Sequence, residues 1–593
     1  MYRCFLSLLL LTSLPAFAAT GTVTGELRKW HRIDVTFSGP QTSETASPNP
    51  FRDYRLDVTF VHRATGARRV VPGYYAADGN AAQTGATSGN KWRVHFAPDK
   101  EGTWDYKASF RAGKDVAAGV GTGTATSFNG ASGAFTVGPT NKTGRDFRGK
   151  GLLRHTGGHH LRFAQTGEPF LKGGADSPEN FFAYFEFDNT QDNGGTANSL
   201  VDGLHRYEPH VQDWRTGNPT WGSGKGKGII GALNYLADKG MNSVYALTMN
   251  VNGDGREVYP WTAYGERYRF DCSKLGQWEI VLAHMDALGL MQHLVTQETE
   301  NDQLLDGGAL GVQRKLYYRE LIARFGHHLG VVWNLGEENT NTDAQRKQFA
   351  DFFKSLDPYD HPVVVHTYPT QYDAVYNPLL GYPTVEGPSL QMGSLGPVHS
   401  ETVKWIDRSA AAGRKWFVSL DEIGPAGTGV KPDADDFWHD AVRKQALWGN
   451  LMAGGAGVEW YFGYSYPDAD LNCEDWRSRD HMWDLTRLAL DFFRTHLPFT
   501  EMVHADGLTS ASADYVLAKA GQVYAIYLPN GGTANLSLAG VSGSFDVRWF
   551  DPRNGGDLRI GSIATVSGGA TVTIGNPPGG ATTQDWVALV RKR

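Results

Sequence analysis

Two apolar runs in this chain end in acids. Val331-Val332-Trp333-Asn334-Leu335-Gly336 leads into Glu337-Glu338-Asn339, and Trp416-Phe417-Val418-Ser419-Leu420 leads into Asp421-Glu422-Ile423-Gly424. Short β-branched and aromatic runs bounded by glycine read as buried strands. A strand buried on both faces should carry no charge, so acids at its carboxyl end need a chemical explanation. In a β/α barrel that end is the catalytic face. Two carboxyls delivered there by different strands suit cleavage of a glycosidic bond: one protonates the leaving oxygen and the other attacks the anomeric carbon. The four acids also crowd like charge, which raises at least one pKa and sets a protonated acid apart from an ionised partner. Side-chain alternation along a strand lets only one of each adjacent pair face the lumen.

Strands of this kind recur through a middle region of about residues 145–500, each followed by a helical stretch. The runs are Phe170 to Gly174, Asn242 to Met249, Met291 to Thr296, Val331 to Leu335, Pro362 to His366, Thr384 to Glu386, Trp416 to Leu420 and Val458 to Phe462. Eight such units predict a (β/α)8 TIM barrel rather than an open sheet. The Gly/Asn-rich excursion from Ser177 to Lys227 is too long for an ordinary connection and is expected to build part of the cleft. On either side the period falls to two, as in Leu56, Val58, Phe60 and again in Phe545, Val547, Trp549. The expected architecture is therefore multidomain α/β and all-β, with a β-sandwich over 19–140, the barrel over 145–500 and a second β-sandwich over 501–593.

Strand ends supply further candidates for the barrel mouth. Asn250, Asn252 and Asp254 follow the second strand; Gln297, Glu298 and Glu300 the third; His366 and Tyr368 the fifth; Glu386 the sixth. His366 either orients the nucleophile or satisfies a hydrogen bond in the core. Trp460 reads as a floor for a sugar ring or as core packing, and Tyr461 stands beside it. Asp468, Asp470, Glu474, Asp475 and Trp476 form an acidic, aromatic loop that binds hydroxyls or caps a helix. Substrate contacts are expected from Glu337, Asn250, Glu298, His366, Tyr368, Asp421, Trp460 and Trp476.

Metal and cofactor signals are weak. Asn250-x-Asn252-x-Asp254-Gly255 echoes a calcium loop, but Trp261 stands where its closing Glu belongs. His159-His160 and His327-His328 are adjacent pairs, poorly placed for joint ligation, and there is no His-Glu-x-x-His, nucleophile elbow or phosphate loop. No metal and no cofactor is expected.

Net charge of −7 argues against a nucleic-acid partner. The 17 Trp and 25 Tyr suit either large cores or sugar stacking, and the expected partner is a carbohydrate substrate. Met1-Tyr2-Arg3, an apolar run from Phe5 to Leu14, and Ala16-Phe17-Ala18 describe a secretory signal over 1–18. The protein is thus expected in a periplasm or outside the cell, with no membrane span. Cys272 and Cys473 remain, as a disulfide or as two buried thiols.

Trp333-Asn334-Leu335-Gly336-Glu337-Glu338-Asn339 resembles the fourth-strand motif of the clan A glycoside hydrolases, in which a Trp-x-Leu-x-Asn-Glu-Pro run ends in the acid/base Glu. The resemblance places Glu338 at the acid/base position. Leu420-Asp421-Glu422-Ile423-Gly424 resembles the family's nucleophile strand, with Glu422 as nucleophile. Glu337 falls where the family has an Asn that binds the sugar 2-hydroxyl, and Asn339 where it has Pro, so substrate contacts here must differ. Leu247-Thr248-Met249-Asn250, Gln297-Glu298-Thr299-Glu300-Asn301-Asp302 and Glu474-Asp475-Trp476-Arg477 resemble the apiosidase-like barrel proteins that carry a collagen-binding-type C-terminal domain. Asn49-Pro50-Phe51 and Gly102-Thr103-Trp104-Asp105-Tyr106 resemble the uncharacterised sandwich that precedes such barrels. The expectation is a secreted retaining glycoside hydrolase. Its rival is a glycan-binding or matrix-associated barrel without activity, supported by Glu337 in the place of Asn; a lyase is disfavoured for want of a Tyr/His base beside a cationic neutraliser.

Overall fold

At the centre of the chain, parallel strands close into a barrel: β1 (Lys172–Ala175), β2 (Ser243–Leu247), β3 (Met291–Val295), β4 (Val331–Asn334), β5 (Val363–Thr367), β6 (Gly387–Met392), β7 (Ser419–Ile423) and β8 (Gly457–Trp460). The computed structural model describes residues 20–194, 203–511, 513–580 and 583–593; the expected signal segment lies outside the described residues. β1 pairs with β8, Lys172 opposite Gly457 and Ala175 opposite Trp460, so the sheet has no open edge. A Cβ on Gly174 would sit 2.0 Å from the Ser243 carbonyl oxygen, so the approach of β1 to β2 requires glycine there.

All barrel-strand residues are buried, yet the lumen is not aliphatic. Lys172, Ser243, His293, Asn334, Asp421 and Glu459 point inward and bond to one another. Lys172 Nζ and His293 Nδ1 reach Glu459 Oε2 at 3.0 and 2.8 Å, Lys172 also pairs with Asp421, and Asn334 meets His293 Nε2 at 3.2 Å. Alternate residues face the helices, as Trp333 does in donating to Asp357 Oδ2 at 3.0 Å.

The surrounding helices are built by ordinary signals. Asp343–Leu356 opens on a capping box between Thr342 and Gln345. Asp480–His496 buries Met482, Trp483, Leu485, Thr486, Ala489, Leu490 and Phe493, a stripe at helical spacing, and Leu490 and Thr486 lie against β1 at Gly173. Burying each such Leu or Phe is worth about 1.5–3 kcal/mol. β6 begins after Glu386 rather than ending on it. Glu386 therefore lies at the opposite end of the barrel from the mouth, accepting from Arg414 at 2.7 Å and from Val363 N at 2.8 Å, where β5 starts.

Both flanks are antiparallel. In the first, Thr22–Gly25, Ile33–Ser43 and Ser88–Phe96 form one layer, and Tyr54–His62, Gly102–Ala112, Thr124–Ala125 and Ser132–Val137 the other. Arg68–Tyr75 joins them, pairing first with Tyr54–His62 and then, at Tyr74 and Tyr75, with Ser88–Phe96. Phe60 stacks on Phe96 at 4.1 Å and Phe37 on Phe128 at 4.7 Å across the interior. At the C-terminus an antiparallel set of strands from Val503–His504 to Trp586–Lys592 forms one sheet, and a ribbon of Asn535–Ser537 with Thr571–Thr573 packs on it through Leu536 and Ile574. No helix among the described residues is long and apolar enough to cross a membrane.

The N-terminal domain is joined to the barrel by an ion pair whose barrel side is buried. Arg32 Nη1 reaches Glu279 Oε1 at 2.6 Å, and Glu279 Oε2 in turn faces His328 Nε2 at 3.0 Å, while His328 Nδ1 faces Asp286 Oδ2 at 2.8 Å. Burial works against charge on His328, but Glu279 and Asp286 outweigh it and raise its pKa to about 9. A group with a raised folded pKa contributes stability that is complete below its unfolded value, about 6.5, and lost as pH climbs through the folded one. Replacing His328 with Gln should thus flatten the decline of the thermal midpoint between pH 6.5 and 9.5, removing a contribution on the order of 3 kcal/mol. A wild-type and variant pair with parallel pH profiles would contradict this.

Candidate active site

At the carboxyl end of the barrel two backbone irregularities overturn the expected alternation. Between β6 and β7 the register shifts: Leu390 lies opposite Leu420, but Gln391 lies opposite Glu422. Asp421 is therefore an extra residue, a bulge, which lets both Asp421 and Glu422 turn inward. After β4 the chain leaves the extended region at Gly336 (φ 137°) and again at Glu338 (φ 45°). A Cβ on Gly336 would lie 2.6 Å from Gln297 Cγ. Glu338 holds a left-handed conformation that a non-glycine residue adopts at a cost of about 1–3 kcal/mol, a kind of strain that gathers at functional sites. Both Glu337 and Glu338 consequently face the mouth.

One amide ties the two strand ends together. Gln391 Nε2 donates to Glu338 Oε1 at 2.6 Å and to Glu422 Oε1 at 2.9 Å. Two oxygens bound to a single nitrogen at these lengths can stand no farther apart than the roughly 5–5.5 Å of retaining carboxyl pairs. His366 Nε2 stands 3.3 Å from Glu422 Oε2, and its Nδ1 is 3.4 Å from Tyr245 Oη. Tyr245 donates to Glu337 Oε2 at 3.0 Å. Glu337, His366 and Glu422 each bring an atom within 4.8 Å of the others.

The electrostatics follow from burial and crowding. Burial opposes charge on His366, but Glu422 and Glu337 outweigh it and raise its pKa to about 9, so it is an imidazolium at neutral pH. Burial, opposed by His366 and reinforced by Glu422, pushes Glu337 up to about 8. Glu338 is half-buried, and burial together with the Glu422 charge raises it. Tyr368 stands beside Glu338, and burial together with that carboxylate raises its phenol. Asn250 Nδ2 donates to Glu298 Oε2 at 2.8 Å, and Glu298 is raised well above the usual range by burial and by Glu337.

Several expected residues lie elsewhere. Asp421 joins the buried layer beneath the mouth, with Lys172 and, at 3.0 Å, Ser419 Oγ, and is 1% exposed. Trp460 turns outward, its indole N–H donating to Thr486 Oγ1 at 2.8 Å, so it is no floor for a sugar. Trp476 is enclosed in its loop, donating to the Ser177 carbonyl at 2.9 Å and stacked on Phe181. Cys272 and Cys473 are both free and buried.

The mouth also holds residues that strand-end reasoning passed over. Gln391 was hidden by the early placement of β6, and Tyr245 sits inside β2 rather than at its end. Asp176 and Glu179 follow β1 directly, where the barrel rule points, but the long excursion beginning at Ser177 drew attention instead. Both are buried and carry carboxyls raised well above the usual range by burial and neighbouring acids.

Comparisons with known proteins agree with this architecture. Residues 26–111 match the family model "Domain of unknown function (DUF5060)", and residues 498–591 match "Putative collagen-binding domain of a collagenase". No curated protein matches the chain. A solved structure described as a putative glycoside hydrolase from Bacteroides vulgatus aligns over 96% of this chain and 100% of its own, with TM-score 0.61 and 17% identity. A glycoside hydrolase family 5 structure from the same organism covers 76% of this chain and 95% of its own, with TM-score 0.52 and 15% identity. Another, described as a glycoside hydrolase, covers 76% and 99%, with TM-score 0.54 and 14% identity. At these identities the likeness is one of fold.

Lys172 is the cation that holds the layer beneath the mouth, its charge favoured by Asp421 and Glu459 against the opposing effect of burial. Lys172→Met should destabilise the barrel by about 3–5 kcal/mol, because it strips the buried Asp421 and Glu459 of the ammonium they share. Adding Asp421→Asn should restore part of that loss in chemical unfolding. Equal midpoints for wild type and Lys172→Met would refute the role.

Proposed function

We propose that the chain is an exported retaining glycoside hydrolase, with Glu338 as acid/base and Glu422 as nucleophile. The observation that carries this reading is Gln391, whose one amide nitrogen binds a carboxylate from the end of β4 and another from β7. The barrel fold shared with solved glycoside hydrolases, the clan A-like motif and the signal-like amino terminus support it.

In the first step the half-buried Glu338 donates its proton to the glycosidic oxygen while Glu422 attacks the anomeric carbon, so the C–O bond breaks as the glycosyl–enzyme ester forms. In the second, Glu338, now ionised, takes a proton from water; that water attacks the same carbon and frees Glu422. Burial and the neighbouring Glu422 raise the proton affinity of Glu338, which suits it to donate a proton, and His366 Nε2 stands 3.3 Å from Glu422 Oε2. Asn250 Oδ1 and Glu298 Oε1 are buried without partners and suit sugar hydroxyls as donors. Glu337 takes the place of the family's Asn beside Glu422, and Tyr368 lies against Glu338.

Incubation of the purified protein with bacterial, plant and algal polysaccharides should release reducing ends from at least one of them. Glu338→Gln should cut release by about 10²–10⁴-fold, and Glu422→Gln should abolish it. Added azide should restore glycosyl transfer to Glu338→Ala, because an anionic nucleophile needs no general base. Full turnover in both Gln variants would refute the assignment. Retained glycan affinity without release from any substrate would favour the non-catalytic binding reading, to which Glu337 in the place of Asn lends weight.

A further inference from the structure

Asp176, Glu179 and Asp470 each bring a carboxylate oxygen within 4.8 Å of the others, and all three residues are buried. Asp176 and Glu179 belong to the loop after β1, and Asp470 to the loop after β8, so the cluster spans the seam where the barrel closes. Hydrogen bonds pin those loops, among them Glu179 N–H to Asp470 Oδ1 at 3.1 Å and Phe462 N–H to Ser177 Oγ at 2.8 Å. Asp176 is 1% exposed, and neither of its oxygens has a hydrogen-bond partner, although one is among the converging atoms.

An ionised carboxylate withdrawn from water without a donor or counter-ion is strongly disfavoured. The groups acting most strongly on Asp176 are Glu422, Asp470, Glu337 and Glu459, all acidic, and those on Glu179 are Asp470, Glu337, Asp176 and Glu422. The layer beneath is different, because Lys172 and His293 meet its acids directly.

We propose that Asp176, Glu179 and Asp470 bind a hard divalent cation, calcium foremost, that ties the β1 and β8 loops together at the barrel mouth. Carboxylate-only ligation selects against zinc and copper, which favour imidazole or thiolate. Oxygens about 2.3–2.6 Å from a calcium ion on opposite sides stand roughly 5 Å apart, so three carboxylate oxygens lying within 4.8 Å of one another can share one ion. Calcium also tolerates an irregular shell of six to eight oxygens, whereas magnesium demands a near-ideal octahedron. The site is distinct from the Asn250-x-Asn252-x-Asp254 run, and it holds whether or not the barrel cleaves glycans.

The test uses the full mature protein, stripped of metal by chelation and desalting, then titrated with calcium chloride and separately with magnesium chloride. Calorimetry should show one calcium bound per chain, more tightly than magnesium, with a higher thermal midpoint in calcium than in chelator. Asp176→Asn and Asp470→Asn should each weaken calcium binding by at least the roughly 10–100-fold that loss of a mere outer-shell partner costs. Without metal these variants should be at least as stable as wild type, since each removes a buried like charge, so a folding failure is not mistaken for lost ligation. Absence of calcium uptake by the wild type, or uptake undiminished in the double variant, would overturn the proposal.

Discussion

Carboxylates held close together and out of water repel one another, and the central barrel is organised around that constraint. Its lumen is filled by two acidic layers treated in opposite ways. In the lower layer Asp421 and Glu459 both meet Lys172, and Glu459 also meets His293, so each acid has a partner inside the barrel. In the upper layer Glu337, Glu338 and Glu422 share one imidazolium, His366, and one amide, Gln391. Beneath the mouth, Lys172 on β1 links Asp421 on β7 to Glu459 on β8. What remains is a mouth in which Glu337 and Glu338 carry raised proton affinities, the usual condition for acid–base chemistry.

The backbone reaches this arrangement by leaving regular geometry at two places. A bulge in β7 and a left-handed turn after β4 bring both members of each acidic pair inward. Strands elsewhere in the barrel follow strict alternation, as the outward Trp333 and Trp460 show. Both irregularities lie at the strand ends that carry the acids, where local strain is offset by the packing of the surrounding barrel and helices.

The architecture was largely legible in the sequence, because strand and helix periods differ sharply and Gly or Pro marks most boundaries. β1 to β8 fall within a few residues of the runs read from Phe170 to Phe462. The exception was β6, whose Gly387-Pro388 start looks like a break, and that displacement misplaced Glu386 and concealed Gln391. At the site, Glu337, Glu338, Glu422, His366, Tyr368, Asn250 and Glu298 gather as their strand-end positions implied. Trp460 and Trp476 do not, since composition cannot say which way an indole points. Asp421 was expected at the substrate, but a bulge, which leaves no mark in sequence pattern, turns it into the layer beneath the mouth. The Asp176–Glu179–Asp470 cluster joins loops nearly three hundred residues apart through barrel closure, a contact that only the fold supplies.

The central claim is that Glu422 attacks the sugar and forms an ester with it. The most direct measurement is mass spectrometry of the protein after reaction with an activated 2-deoxy-2-fluoro glycoside of the sugar it releases, because the fluorine slows breakdown of the ester. The account predicts a single adduct on the peptide containing Glu422, absent from Glu422→Gln. An adduct on Glu337 or another carboxyl, or unlabelled turnover with inverted configuration at the anomeric carbon, would contradict it.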